Sequence, residues 1–408
     1  MLKKRTLTKT VEKISASFPV ILLTGPRQVG KTTLLETCAE KGRNYVTLDD
    51  MEQRDIAQND PALFLQMHPA PVIIDEVQYA PKLFSAIKMT VDKAKKPGMF
   101  WLTGSQKFHL MKGITETLAG RMAILDMLGL SQKEIAGHAY ETIPFIPTKE
   151  WFNASKKHKH KKQDLIEIYK AIWIGSYPKL VADPNTPRDT FYSSYIQTYI
   201  TRDVQDFTKV GDLSAFHRFL RAAAARTGQL INYHDLARDV DIDPKTAKSW
   251  ISILEASGII YMLQPYHANI TKRLVKTPKL YFLDTGLCSY LTQWSTHEAL
   301  SSGAMSGAIL ETYIISEILK SYWHNGKSPY LYFYRDRDGK EVDLLIEQNQ
   351  MLYPVEIKKT ATPSNTASKH FPMLDNLDKK PGHGAVICFV ADIVPLSRDV
   401  DAIPVWYI

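Results

Sequence analysis

The stretch VILLTGPRQVGKTTLLETCAEK, from Val20 to Lys41, leaves the chain little freedom. An apolar run enters a loop, and LLETCAE continues with helical character. Inside the loop, Gly25, Gly30, Lys31 and Thr32 satisfy G-x-x-x-x-G-K-[ST]. The glycines let the backbone turn its N–H groups around phosphate oxygens. The helix N-terminus adds partial positive charge at the same place. Gly25, Pro26, Arg27, Gln28, Val29, Gly30, Lys31, Thr32 and Thr33 are therefore the expected phosphate cradle. Lys31 is placed to reach the β- and γ-phosphates and to serve catalysis. The Thr32 hydroxyl is placed to join a Mg²⁺ shell.

Further along, PVIIDEVQYAP (Pro71 to Pro81) is an apolar strand ending in Asp75 and Glu76. Acids at a strand's carboxyl end face the crevice where ligands bind in open α/β sheets. Asp75 is expected to hold Mg²⁺ through water, and Glu76 to polarise the attacking water. MFWLTGSQ is another buried strand, and its terminal Thr103, Ser105 or Gln106 could sense the γ-phosphate. NYVTLDD adds a further strand between the loop and Asp75. Strands alternating with helical stretches predict a parallel, doubly wound sheet.

The chain has 408 residues, so two or three domains are expected. Its net charge of +8 leans toward an anionic partner without identifying one. No apolar run approaches the roughly 18 to 20 residues of a membrane span. Cys38, Cys288 and Cys388 are widely spaced, which fits a reducing cytoplasm rather than a disulfide framework or a zinc cluster.

The middle region carries two further signals. Lys156, Lys157, Lys159, Lys161 and Lys162 form a basic block with two histidines, which reads as a solvated loop able to touch a phosphate backbone. From Leu213 to Tyr266 the chain reads helix, short helix, longer helix and strand. Asp243 with Pro244 starts the longer helix and Gly258 stops it. This is the outline of a winged helix-turn-helix. Lys245, Thr246, Lys248 and Ser249 would meet DNA if it reads bases; otherwise the element is a packing lid. RLVKTPKLYFLDTGL then reads as a buried strand and a tight turn closing this region against its neighbour.

EVDLLIEQNQMLYPVEIKK, from Glu341 to Lys359, poses the opposite problem to the glycine loop. Charges sit where two paired strands should be buried. Strand alternation sends Asp343, and then Glu356 with Lys358, to one face, with Val355 and Ile357 on the other. One reading is a solvent-facing sheet with cross-strand ion pairs. The other is a metal site with a lysine beside it. Before these strands, GAILETYIISEILKSYW is an amphipathic helix with Glu311 beside its apolar stripe. Downstream, TASKHFPMLDNL reads as a helix and GAVICFV as a last strand.

GPRQVGKTT, VIIDEVQ, LTGSQ and LAGR together resemble the AAA-like ATPases of the additional-strand, catalytic-glutamate class. GSYPKL, YITRDV and YFLDTGL extend the likeness to prokaryotic proteins in which that ATPase is followed by a conserved region of unassigned function. That family typically has a glycine pair before Tyr-Pro, where this chain has Ser176. The resemblance implies ATP and Mg²⁺ as cofactors, and a role for Arg121 near the phosphates as a sensor or finger; the alternative is a surface arginine. The order helix, three strands, helix, strand at the C-terminus resembles the restriction-endonuclease-like fold of the PD-(D/E)xK nucleases. In that likeness Glu311, Asp343 and Glu356 supply oxygens to a divalent metal, and Lys358 activates water.

The expected architecture is α/β throughout. It comprises a parallel-sheet P-loop ATPase core over 1–130, a helical connector with the basic loop over 131–212, a winged-helix-like domain over 213–300 and a restriction-endonuclease-like domain over 301–408. Three functions compete: an ATPase coupling nucleotide state to a DNA-directed module, an ATP-regulated metal-dependent DNA nuclease, and a signalling or scaffold ATPase that binds protein and cuts nothing. DNA, a protein and further copies of the chain stay open as partners; a membrane does not.

Overall fold

The computed structural model of the chain describes residues 2–105, 117–157, 161–201, 212–267 and 277–408. Five strands, β1 (Val20–Thr24), β2 (Asn44–Thr47), β3 (Val72–Asp75), β4 (Phe100–Gly104) and β5 (Met122–Asp126), pair in parallel in the order β2-β3-β4-β1-β5. β4 is inserted between β1 and β3. Val20 pairs with both Phe100 and Met122, and Val72 also pairs with Phe100, so the strand starts are level. The carboxyl ends share one edge, with the connections diverging at β1, which makes a ligand crevice there. Helix α1 (Lys31–Cys38) follows the glycine loop and α2 (Leu83–Ala94) joins β3 to β4.

Every residue of β1, β3 and β4 is buried, as a parallel sheet covered on both faces requires. Val20, Leu22, Ile74, Phe84 and Ile87 make a core private to this layer. Ile21, Leu23, Ile73 and Trp101 instead belong to a core that continues through Tyr169, Phe216 and Ile314. The alternation of a single strand therefore joins the first domain to the rest of the chain. The expected boundary at residue 130 is a change of architecture within shared packing.

The middle begins with α3 (Leu165–Ile174), started by a reciprocal Asp164–Glu167 capping box, and α4 (Arg188–Tyr195). Next come α5 (Leu213–Ala224), β6 (Gln229–Leu230), α6 (Tyr233–Val240), α7 (Pro244–Ala256), β7 (Ile260–Pro265) and β8 (Lys279–Phe282). Asp212, Asn232 and Asp243 cap the three helices through their side chains. Gly258 stops α7 at φ +70°, as its position in the sequence suggests. β8 pairs antiparallel with both β7 and β6.

The sheet does not end there. After α8 (Thr285–Leu291) and α9 (Ser306–Trp323), strand β9 (Leu331–Arg335) pairs parallel with β7 through Gln264↔Tyr332 and Pro265↔Phe333. β10 (Glu341–Gln348), β11 (Met351–Ile357), β12 (Lys380–Pro381), β13 (Gly384–Cys388), β14 (Val394–Ser397) and β15 (Val400–Pro404) extend it. The path runs β14-β15-β13-β11-β10-β9-β7-β8-β6, with β12 beside β11. The boundary expected at residue 300 thus falls inside one continuous sheet.

Two C-terminal expectations are corrected. TASKHFPMLDNL forms two 3₁₀ turns, Asn365–Ser368 and Phe371–Asn376, instead of an α-helix. Pro372 lacks an N–H and disfavours helical geometry at Phe371. GAVICFV is not the last strand, because β14 and β15 follow it and β15 pairs with β13. No helix among the described residues is long and apolar enough to cross a membrane.

Candidate functional site

The glycine loop sits at the carboxyl end of β1, with Gly25 at φ +145°, Gln28 at +61° and Gly30 at +93°. Glycine at 25 is required sterically, since a β-carbon there would lie 2.0 Å from the Met127 carbonyl oxygen. Lys31 is buried, and its Nζ donates to the carbonyls of Gly25 (3.0 Å) and Pro26 (2.9 Å). A buried ammonium ringed by loop carbonyls at a helix N-terminus is the chemistry that takes a phosphate. The residues present therefore fit a nucleoside triphosphate.

The strand ends complete the site. Thr32 Oγ1 donates to Asp75 Oδ1 at 2.9 Å, so the two expected Mg²⁺-side ligands are in contact. Thr103 Oγ1 also donates to Asp75 Oδ1, and the Tyr45 hydroxyl donates to Oδ2 at 3.2 Å. The Glu76 N–H donates to Thr103 Oγ1 at 3.1 Å, which holds Glu76 in a left-handed backbone at φ +55°. Ser105, expected beside the γ-phosphate, donates to Glu76 Oε2 at 3.3 Å, and Gln78 Nε2 donates to the same oxygen. Gln106 lies outside the described residues. Thr32 and Asp75 would hold magnesium bound with the nucleotide, which would supply charge neutralisation on the phosphates. Gln78 and Tyr45 were not singled out from the sequence; Gln78 could have been, as a polar residue two places after Glu76.

Arg121 is a correction. It precedes β5, at the level of Val20, whose N–H donates to the Arg121 carbonyl. That is the strand-start edge, opposite the loop. Its guanidinium is paired with Asp92 of α2 on the surface. Within its own chain it is not a phosphate contact, and the surface-arginine alternative describes it.

The rear of the loop rests on the middle region. Pro26 packs against Gly258 after α7, where an added β-carbon would meet the proline ring at 3.0 Å. Gln28 Nε2 donates to the Tyr199 hydroxyl at 3.0 Å, and the Arg27 guanidinium lies 5.4 Å from the Tyr199 ring centre. Tyr195 and Tyr177 pack behind with tilted rings, 4.9 Å between centroids. GSYP and LDTG meet at Asp284. Its carboxylate accepts from the N–H (2.7 Å) and Oγ (2.8 Å) of Ser176, the Tyr192 hydroxyl (2.8 Å) and the Leu287 N–H (2.8 Å). Ser176 thus contributes a hydroxyl to this hub. Burial, then the Asp284 charge, pushes the Tyr192 phenol well up.

At the C-terminus the charges do converge, at the edge of a cleft. Lys358 Nζ lies 2.5 Å from Glu356 Oε2 and 3.5 Å from Asp343 Oδ2, which also accepts the Ile357 N–H at 2.9 Å. A β-bulge in β10 between Val342 and Leu345 breaks strict alternation. Val342, Leu345 and Leu352 fill one core, while Leu344, Ile346, Val355 and Ile357 fill another. Both faces of these strands are buried, and the charges gather near strand ends. Burial, then the nearby Asp343 charge, pushes the Glu356 carboxyl up.

The expected metal ligand Glu311 is taken by other groups. Buried Lys279, on β8, lies 3.3 Å from Glu311 Oε1 and 2.5 Å from Glu341 Oε1, and the Tyr281 hydroxyl donates to Glu311 Oε1 at 2.5 Å. Among the described residues no three acidic, imidazole or thiol groups gather closely enough to hold a metal. The set Glu311, Asp343 and Glu356 therefore does not fit a metal as arranged, and lysines neutralise it. Lys279 was missed by sequence reading, although a lysine in the apolar run KLYF is the same anomaly that drew attention to Glu356.

Residues 17–136 match the family model described as AAA domain. The N-terminal region is an ATP-binding ATPase domain of AAA type. Residues 166–298 and 306–408 match two models described as domains of unknown function, DUF8612 and DUF4143. An uncharacterised protein of Mycobacterium tuberculosis is 28% identical over 405 residues, covering 99% of this chain and 84% of that one. One from Methanocaldococcus jannaschii is 22% identical over 321 residues, covering 72% and 66%. Among solved structures, the Walker-type ATPase of Pyrococcus abyssi aligns with 71% of this chain and 96% of its own, with 13% identity and a TM-score of 0.45.

Proposed function

We propose that ATP binding and hydrolysis in the N-terminal domain control a DNA-directed module built by the rest of the chain. The observation that carries this reading is the seat of the phosphate loop. Pro26, Arg27 and Gln28 touch Gly258 and Tyr199, so a nucleotide that reshapes the loop presses on the second module. Two features support DNA as what that module meets. The succession α5-β6-α6-α7-β7-β8, with β8 between β7 and β6, fits a winged helix-turn-helix. Lys245 and Lys248 are exposed near the start of α7, where such a helix meets DNA. Glu76 accepts the proton of the attacking water, and Lys31 with Thr32 holds the phosphates.

Binding without cutting is the form the geometry favours. A cleft of about 690 Å³ holds Asp343, Glu356 and Lys358 with Lys340, Lys359 and Lys369, which suits a phosphate backbone. The metal that cutting would need has no cage there among the described residues. The test is ATP turnover and DNA affinity on one purified sample, with Glu76→Gln alongside. Duplex DNA is expected to change turnover, and a non-hydrolysable ATP analogue to change DNA affinity. Replacing Lys245 and Lys248 with glutamine is expected to flatten the salt dependence of binding, by about one unit of slope for each phosphate no longer neutralised. Turnover indifferent to DNA, with no salt-dependent DNA binding, would sink the proposal. Nicking with Mn²⁺ would restore the nuclease alternative.

A further inference from the structure

The assignment of Glu76 as the base leaves open what aims it. Glu76 follows the strand, in a left-handed conformation, with a half-buried side chain. Two buried residues converge on one of its oxygens. Gln78 Nε2 and Ser105 Oγ both donate to Oε2, and Gln78 Nε2 also reaches Ser105 Oγ at 3.4 Å. Gln78 comes from the turn after β3, while Ser105 follows β4. Both are under a tenth exposed, so neither hydrogen bond is replaced by bulk water at little cost. The amide orientation is fixed by this contact, because its NH₂ faces two oxygens. Gln78 Oε1 is left buried without a partner among the described residues.

We infer that Gln78 and Ser105 are positioning residues for ATP hydrolysis, which aim the Glu76 carboxylate at the attacking water. They tie down Oε2 and so present Oε1 as the proton acceptor. In the step they serve, the water oxygen bonds to the γ-phosphorus and the bond from that phosphorus to the bridging oxygen breaks. The electron pair leaves on ADP, and the water's proton passes to Oε1. Neither residue touches the reacting atoms. Their contribution is orientation, which is lost when a carboxylate can rotate out of line. Thr103 extends the scheme by gripping the Glu76 N–H and Asp75 together. The side chains that set base and Mg²⁺ ligand thus share one frame.

This inference rests on Glu76 being the base, and the experiment separates the two claims. ATP turnover and the Kd for a non-hydrolysable analogue are measured for Glu76→Gln, Gln78→Ala, Ser105→Ala, Ser105→Thr and the double variant Glu76→Gln/Gln78→Ala. Gln78→Ala is expected to lower kcat by about 10- to 100-fold with Kd unchanged within about twofold, a loss confined to the transition state. Ser105→Ala is expected to lose less, and Ser105→Thr, which keeps the hydroxyl, to retain most of the rate. The double variant should turn over no more slowly than Glu76→Gln alone, because a positioning residue has nothing left to aim. A raised Kd with unchanged kcat, additive losses in the double variant, or faster turnover in Gln78→Ala would each overturn the inference while leaving Glu76 as base. Full activity in Glu76→Gln would overturn the assignment of the base itself. If Gln78→Ala fails to fold, Gln78→Met fills the same volume and carries the same expectations.

Discussion

The two charged regions of this chain solve opposite problems. In the nucleotide site the cation is offered to something else: Lys31 donates to neutral loop carbonyls, which a phosphate oxygen can displace. In the C-terminal cluster the cations face acids of the same chain. Lys279 lies between Glu311 and Glu341, and Lys358 between Asp343 and Glu356. A site built for a ligand holds its cation on groups that a phosphate can replace. A cluster that compensates itself holds elements together. Lys279 belongs to β8 and its partners to α9 and β10, so this ion pairing ties the middle of the chain to its end.

The contrast makes its largest prediction at Lys31. Lys31→Ala should weaken ATP binding by at least about 100-fold, since charge-assisted bonds to phosphate contribute roughly 1.5–3 kcal/mol each. It should leave urea unfolding of the ligand-free chain nearly unchanged. Lys279→Met should do the reverse. Removing one partner of a buried pair leaves acids uncompensated and costs about 3–5 kcal/mol, read as a lower urea midpoint, while ATP affinity holds. Equal destabilisation by both substitutions would erase the distinction between the two regions.

The nucleotide site was legible in the sequence because its physics is local. Gly25, Gly30, Lys31 and Thr32 lie within eight residues, and their spacing alone forces the turn into a helix start. Asp75 and Glu76 were legible because a buried parallel strand must end at the crevice. The C-terminal cluster was half legible. Asp343, Glu356 and Lys358 do meet across one strand pair, as alternation suggests. Lys279 enters from a strand 62 positions before Glu341, and no period connects them. The β7–β9 pairing that brings the two regions into one sheet rests on Gln264 and Pro265, which carry no sequence signal for it. The bulge beside Asp343 was hidden as well, because an inserted residue changes the facing without changing the apolar pattern. Arg121 went astray for a related reason. A motif fixes that an arginine follows a glycine, but which edge of the sheet it occupies depends on strand direction.

The next prediction turns on pH. Burial and then Asp343 raise the Glu356 pKa, so the folded chain holds that proton more tightly than the unfolded one. Such a group contributes stability in full below the ordinary glutamate value of about 4.3, and the contribution is lost as pH rises toward the raised value. Wild-type stability should therefore decline above about pH 4.3 through this group. Glu356→Gln should flatten the decline and overtake wild type in mildly alkaline buffer, by about 1.4 kcal/mol for each unit by which the pKa is raised. Urea midpoints for both proteins, taken from mildly acidic to mildly alkaline buffer, measure it. Parallel curves would mean that Lys358 compensates Glu356 fully.

The smallest effect is expected at Lys358 itself, and it separates the two halves of the cluster. Lys279 is 5% exposed at its side chain, whereas Lys358 is 42% exposed and opens on the cleft with Lys340 and Lys369. Water already screens Lys358, so Lys358→Met should cost below about 1 kcal/mol of stability, in the range of exposed ion pairs. Its consequence should lie in binding. A cation that is half solvated and faces a basic-rimmed cleft can exchange an acid of its own chain for a phosphate, which Lys279 cannot do from its buried position. Lys358→Met should therefore reduce the salt slope of DNA binding while Lys279→Met leaves that slope alone, compared at a temperature where both remain folded. If Lys358→Met instead destabilises as much as Lys279→Met and leaves the slope untouched, the whole cluster is structural, and DNA contact must be sought at Lys245 and Lys248.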